Sequence, residues 1–117
     1  MKWAFTTDRP IYAQLVEQMT FAVVSGEYRA GDKLPSVRDL AQEAAVNPNT
    51  MQKALAEMER QGMLYTQRTA GRYVTEDVAM IQQIKTKLAE QQVADFLAQM
   101  GKIGLTKDEI IALIQQS

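Results

Sequence analysis

Side chains able to make or break bonds are scarce in this chain, while those able to read another molecule are gathered in one place. The 117 residues contain no histidine and no cysteine, which removes imidazole bases, thiol nucleophiles, disulfides and nearly every zinc or haem site. Serine occurs only at Ser25, Ser36 and Ser117, there is no glycine-rich phosphate loop, and the carboxylates are scattered along helix-like segments. No catalytic constellation results, so an enzyme is not expected, nor a resident metal or cofactor. The stretch AVNPNTMQKAL, residues 45–55, is different, because Asn49, Thr50, Gln52 and Lys53 fall within it. The Asn49 and Gln52 amides can pair bidentately with adenine, Lys53 can reach guanine acceptors or a phosphate, and Thr50 can hydrogen-bond a phosphate. The chemistry on offer is recognition of a polyanion.

Those four residues work together only if an element presents them on one side. Pro48 supplies the start of that element. In a helix interior proline removes a hydrogen bond and clashes with the preceding turn, whereas at the first position it costs nothing and presets φ. Asn47 is placed to cap, and Met51, Ala54, Leu55 and Met58 follow at i, i+3, i+4 and i+7, one apolar face. The opposite face carries Asn49, Lys53, Ala56 and Arg60, flanked by Thr50, Gln52 and Glu57. Its N-terminal half is free of acids, which suits a helix entering a major groove by that end. Taken singly, each polar residue reads as ordinary solvated helix surface; their grouping favours DNA binding.

Upstream, the spacing predicts a first helix over 10–25, with Ile11, Leu15, Met19, Ala22 and Val23 on one face and Gly26 as its stop. Ser36 and Asp39 form a capping-box-like pair opening a second helix, 36–43, whose apolar set is Val37, Leu40, Ala41 and Ala44. Only three or four residues separate it from the helix that Pro48 starts, which is helix-turn-helix spacing. Arg38 lies in its first turn, where a guanidinium can clamp phosphate or, as the plainer alternative, pair with Asp39. After Gly62, MLYTQ and RYVT flank RTAG, so a β hairpin follows. Arg68 and Arg72 bracket its turn beside Gly71, placed to hold a DNA backbone or enter a minor groove as a wing does. A lone hairpin is marginal and must pack on the helices. The expected fold is mainly α with a small β hairpin: a winged helix-turn-helix domain, 1–75, followed by a C-terminal helical dimerisation region, 76–117.

That tail reads as one long helix carrying Ile81, Ile84, Leu88, Val93, Phe96, Leu97 and Met100. Gly101 and Gly104 interrupt it. A short last helix, about 107–116, follows, with Thr106 and Glu109 as capping box and Leu105 and Ile110 as hydrophobic staple. The long helix exposes too much apolar surface to stand alone, so Ile81, Ile84, Leu88, Val93, Phe96 and Met100 are expected to line a homodimer interface.

Charge is placed accordingly. The net charge of −1 argues weakly against nucleic acid, but residues 1–75 hold nine Lys/Arg against eight Asp/Glu while 76–117 hold four against six. Residues 60–75 contain Arg60, Arg68 and Arg72 and no acid. No apolar run approaches membrane-spanning length, so a cytoplasmic protein is expected.

PIYAQL, GEYRAGDKLPSVRDLA, VNPNT and RTAGRYV together resemble the GntR family of bacterial transcription regulators, and within it the YtrA-like subfamily, densely over residues 5–75. The resemblance implies a homodimer binding a palindromic double-stranded DNA operator, and its subfamily implies a repressor. It places Arg38, Asn49, Thr50 and the wing around Gly71 at DNA-contacting positions. Three positions depart from the wider family: many members outside the YtrA-like branch carry arginine where Pro48 or Gln52 stands, and wing turns in the family usually have a second glycine where Thr69 stands. Forty-two C-terminal residues are too few to enclose a metabolite within one subunit, so an unknown small-molecule effector would need a pocket across the dimer. The rival reading is a winged-helix module for protein–protein assembly, motivated by the acidic total charge and apolar tail.

Overall fold

The computed structural model describes residues 1–117, which fall into two compact units, Met1–Gln82 and Gln83–Ser117. The first contains α1 (Ile11–Val24), α2 (Val37–Ala44), α3 (Pro48–Arg60), β1 (Leu64–Gln67) and β2 (Gly71–Val74); α4 (Val78–Lys102) crosses the boundary, and α5 (Lys107–Gln116) lies in the second.

Local chemistry sets the ends of these elements. Ser36 caps α2 by accepting the Asp39 backbone N–H, and Asn47 caps α3 by accepting that of Asn49, with Pro48 at the first helical position. Between α2 and α3 stand only Ala45, Val46 and Asn47. Ala45 turns the chain in the left-handed region at φ 57°, and the N–H groups of Ala45 and Val46 donate to the carbonyls of Gln42 and Ala41. This is a Schellman ending made without the usual glycine. Gly62, at φ 84°, closes α3 in the same way, with Met63 N–H donating to Met58 O and the Met63 side chain buried behind it.

The core of the first unit joins Leu15, Met19, Ala22 and Val23 of α1 to Leu40, Ala41 and Ala44 of α2 and to Met51, Ala54, Leu55 and Met58 of α3. Leu34, Met63, Leu64 and Val74 complete it from the loops and the hairpin. Every apolar position expected on α3 is buried. On α1 Ile11 is not: in the first helical turn it stands 37% exposed. The segment before α1 is tied down by Gln14, whose buried amide donates to Thr6 O and Arg9 O and accepts from Thr6 N.

β1 and β2 pair antiparallel, Leu64 opposite Val74 and Thr66 opposite Arg72, with the Tyr65 and Tyr73 rings stacked at 5.6 Å. The expected two-stranded hairpin gains a third rung. Lys33 bridges Tyr73, Leu34 N–H donates to Arg72 O, and Val74 N–H donates to Asp32 O. One bridged residue leaves no alternating pattern to read, so the sequence does not announce it.

In the second unit, α4 ends on a Schellman motif in which Leu105 N–H donates to Met100 O and Gly104 N–H to Gly101 O. Thr106 and Glu109 form a complete capping box at the start of α5, and Ile110 is buried while Leu105 is half-buried, the burial a hydrophobic staple requires. No side chain of α4 is buried. Ile81, Ile84, Leu88 and Met100 are half-covered, and Val93 and Phe96 are exposed.

Candidate nucleic-acid interface

The exposed side of α3 is organised from its first turn. With Asn49 N–H bonded to the cap, Met51 N–H to Asn47 O and no N–H on Pro48, the first turn of α3 keeps the Thr50 N–H as its unpaired donor and carries no acidic side chain, a local positive potential that suits phosphate. Asn49, Gln52 and Lys53 are exposed and Thr50 is half-buried, so the structure brings these four together on one helix. Arg38, the second residue of α2, is exposed and enters no ion pair; the alternative pairing with Asp39 does not form.

Lys53 is held by a residue the sequence did not single out. Its Nζ lies 5.1 Å from the centre of the Tyr12 ring, a cation–π contact that anchors α3 to α1. The Tyr12 hydroxyl donates to Glu57 Oε1 at 3.4 Å, and burial, followed by the Glu57 charge, pushes the phenol's pKa up. Glu57 also accepts from Arg60 and Gln61, and its bonds with Arg60 chiefly hold the carboxyl below the usual carboxylate range. Arg60, expected on the open face beside Lys53, is thus engaged by Glu57, which in turn raises its pKa.

The two wing arginines part company. Arg68, in the three-residue turn 68–70, is exposed without an ion pair. Arg72 turns back onto α3: its side chain is only 16% exposed, its Nε lies 4.0 Å from Glu59 Oε1, and its Nη1 donates to Gln52 Oε1 at 3.2 Å. Glu59 also accepts the Thr66 hydroxyl of β1. The acid-free run from 60 to 75 is therefore neutralised from outside itself, by Glu57 and Glu59, and Arg68 is its one unpaired cation. Gly71 is required at φ 114°, where a Cβ would also lie 3.3 Å from Lys33 Cε. Thr69 is not at positive φ, so this turn works without a second glycine. A groove of about 630 Å³ separates the start of α2 from the wing, with Lys33, Ser36, Gly71 and Arg72 on its walls.

Two helices joined by a three-residue turn, the second presenting amides and a cation, with a wing braced against it, define a winged helix-turn-helix DNA-binding regulator. The family described as bacterial regulatory proteins, gntR family, matches residues 11–74, and the chain belongs to it. It is 40% identical to the HTH-type transcriptional regulator YhcF of Bacillus subtilis, over 92% of this chain and 88% of that protein. With the HTH-type transcriptional repressor YtrA of the same organism it shares 39% identity over 90% of this chain and 68% of that protein. Among solved structures, a GntR family transcriptional regulator from Listeria monocytogenes superposes with a TM-score of 0.88 at 42% identity, covering 97% of this chain and 99% of the other. The DNA-binding domain of AraR in complex with operator ORX1 superposes at 0.59 and 26% identity, over 64% of this chain and 96% of that one.

Proposed function

We propose that this regulator is a cytoplasmic repressor that binds a palindromic operator as a homodimer. α3 enters the major groove, with Asn49 and Gln52 reading bases, Lys53 reaching a guanine or a phosphate, and Thr50 and Arg38 on phosphates. Arg68 and the turn around Gly71 lie along the flanking backbone, while Ile81, Ile84, Leu88, Val93, Phe96 and Met100 join the two subunits. The observation that carries this reading is the exposed N-terminal half of α3, acid-free and proline-started, beside an exposed and unpaired Arg38. Repression is supported by the similarity to YtrA, and operator binding by that to the AraR complex. A cytoplasmic place accords with the absence of any helix long and apolar enough to cross a membrane.

Selection of genomic fragments on the full-length protein tests the reading. A pseudo-palindromic sequence with half-sites about 34 Å apart, or a multiple, should be enriched. Its retention should fall steeply with salt as phosphate contacts release counterions. No enrichment at low ionic strength, or retention indifferent to salt, would refute it.

A further inference from the structure

Gln52 is the one base-reading candidate whose amide already has a partner. Arginine carries five donors and no acceptor, so the Gln52 atom it meets has to be the carbonyl oxygen. The contact is Arg72 Nη1 to Gln52 Oε1 at 3.2 Å, and Gln52 Nε2 has no partner in the protein. Arg72 is largely covered and aimed at α3: its Nε is buried without a hydrogen-bond partner, 4.0 Å from the Glu59 carboxylate, which accepts the Thr66 hydroxyl. A continuous path therefore runs from the wing through Thr66, Glu59 and Arg72 to the exposed face of α3.

Free glutamine reads adenine through both ends of its amide, donating to N7 and accepting from the N6 amino group. A glutamine whose carbonyl is turned toward an arginine on the wing leads into the groove with its two N–H donors, and guanine alone among the bases presents two adjacent acceptors there, N7 and O6. We propose that Arg72 is a specificity-determining positioning residue: by holding the Gln52 carbonyl toward the wing it presents Gln52 to the groove donors first, which selects guanine over adenine.

This rests on the DNA-binding reading above, and the experiment separates the two. Binding sites are selected from randomised duplexes on the full-length protein and on its Arg72→Met, Arg72→Lys and Gln52→Ala variants. The base pair facing Gln52 is the one whose preference Gln52→Ala abolishes. The native chain should prefer guanine there, by about tenfold over adenine, within the range of a good bidentate contact. Arg72→Met, which keeps the apolar stem and frees the carbonyl, should shift the preference to adenine without moving the other positions. Arg72→Lys, whose ammonium still donates to Oε1, should keep guanine. In a Gln52→Ala background Arg72→Met should change no base ranking. If Arg72→Met weakens all sequences alike, or keeps the native ranking, or if the native chain prefers adenine, the proposal is overturned while DNA binding stands. A native chain that selects no sequence overturns both.

Discussion

At the scale of single residues, amides sort by what else they touch. Asn49 has an exposed side chain with no protein partner, whereas Gln52 is held by Arg72 and Lys53 by the Tyr12 ring. Asn49→Ala should therefore relax discrimination at one base pair by about 1 to 3 kcal/mol and leave affinity for random DNA nearly unchanged, whereas Arg38→Ala should weaken specific and random DNA together and flatten the salt slope. Fluorescence titrations on operator and scrambled duplexes decide it; equal losses for both variants on both duplexes would contradict the assignment. The carboxylate beneath Lys53 has a signature of its own. Because Arg60 depresses the Glu57 pKa in the folded chain, the unfolded chain binds more protons in acid; the contribution is complete above the ordinary value of 4.5 and is lost as pH falls through the lower folded value. Glu57→Gln should accordingly flatten the fall of stability with acidification below about 4.5 in denaturation curves taken at successive pH values. A parallel pair of curves would remove Glu57 from the account.

At the scale of elements, the strongest constraints sit at helix ends, and these could be read along the chain because caps are local. Pro48 after Asn47, Ser36 before Asp39, and Thr106 with Glu109 each fix a helix start from within a few residues. The turn at Ala45 is less well matched, since an L residue in the left-handed region is strained by about 1 to 2 kcal/mol. Ala45→Gly should raise stability by about 1 kcal/mol after the extra entropy of the unfolded chain is counted, and Gly71→Ala should lower it by about 1 to 3 kcal/mol. Thermal denaturation reads both, and a loss on Ala45→Gly would show that the strain is absorbed elsewhere. What the sequence could not disclose depends on register between elements. Arg72 faces Glu59 because β pairing sets it opposite Thr66, and Thr66 bonds the same carboxylate. Tyr12 meets Lys53 because α1 packs on α3, and neither relation leaves a periodic trace. For the same reason Arg72 looks like part of a basic patch along the chain yet meets Glu59 from α3, whereas the Arg60–Glu57 pair is a local i,i+3 contact within one helix.

At the scale of the whole molecule, the issue is what covers α4. None of its side chains is buried, Val93 and Phe96 are 56% and 41% exposed, and Ile103, Leu113 and Ile114 add further open apolar surface in the second unit. The first unit has its own core of three helices and a hairpin, so burying this surface is not needed for that unit to fold, and a second copy of the same helix offers the complementary apolar face. Placing a carboxylate there brings an unpaired charge into a dry interface, which costs several kcal/mol. Leu88→Glu and Phe96→Glu in the full chain should each convert a dimer to a monomer in sedimentation equilibrium. They should also lower operator affinity by about 10² to 10⁴, because two linked domains bind a palindrome with an avidity that separate domains lose. Affinity for a single half-site should be unchanged, since α3 and the wing are untouched. If both variants sediment as the native chain does, the apolar face of α4 is not the dimer interface; if they become monomers yet hold the full operator undiminished, dimerisation is not what the palindrome reads.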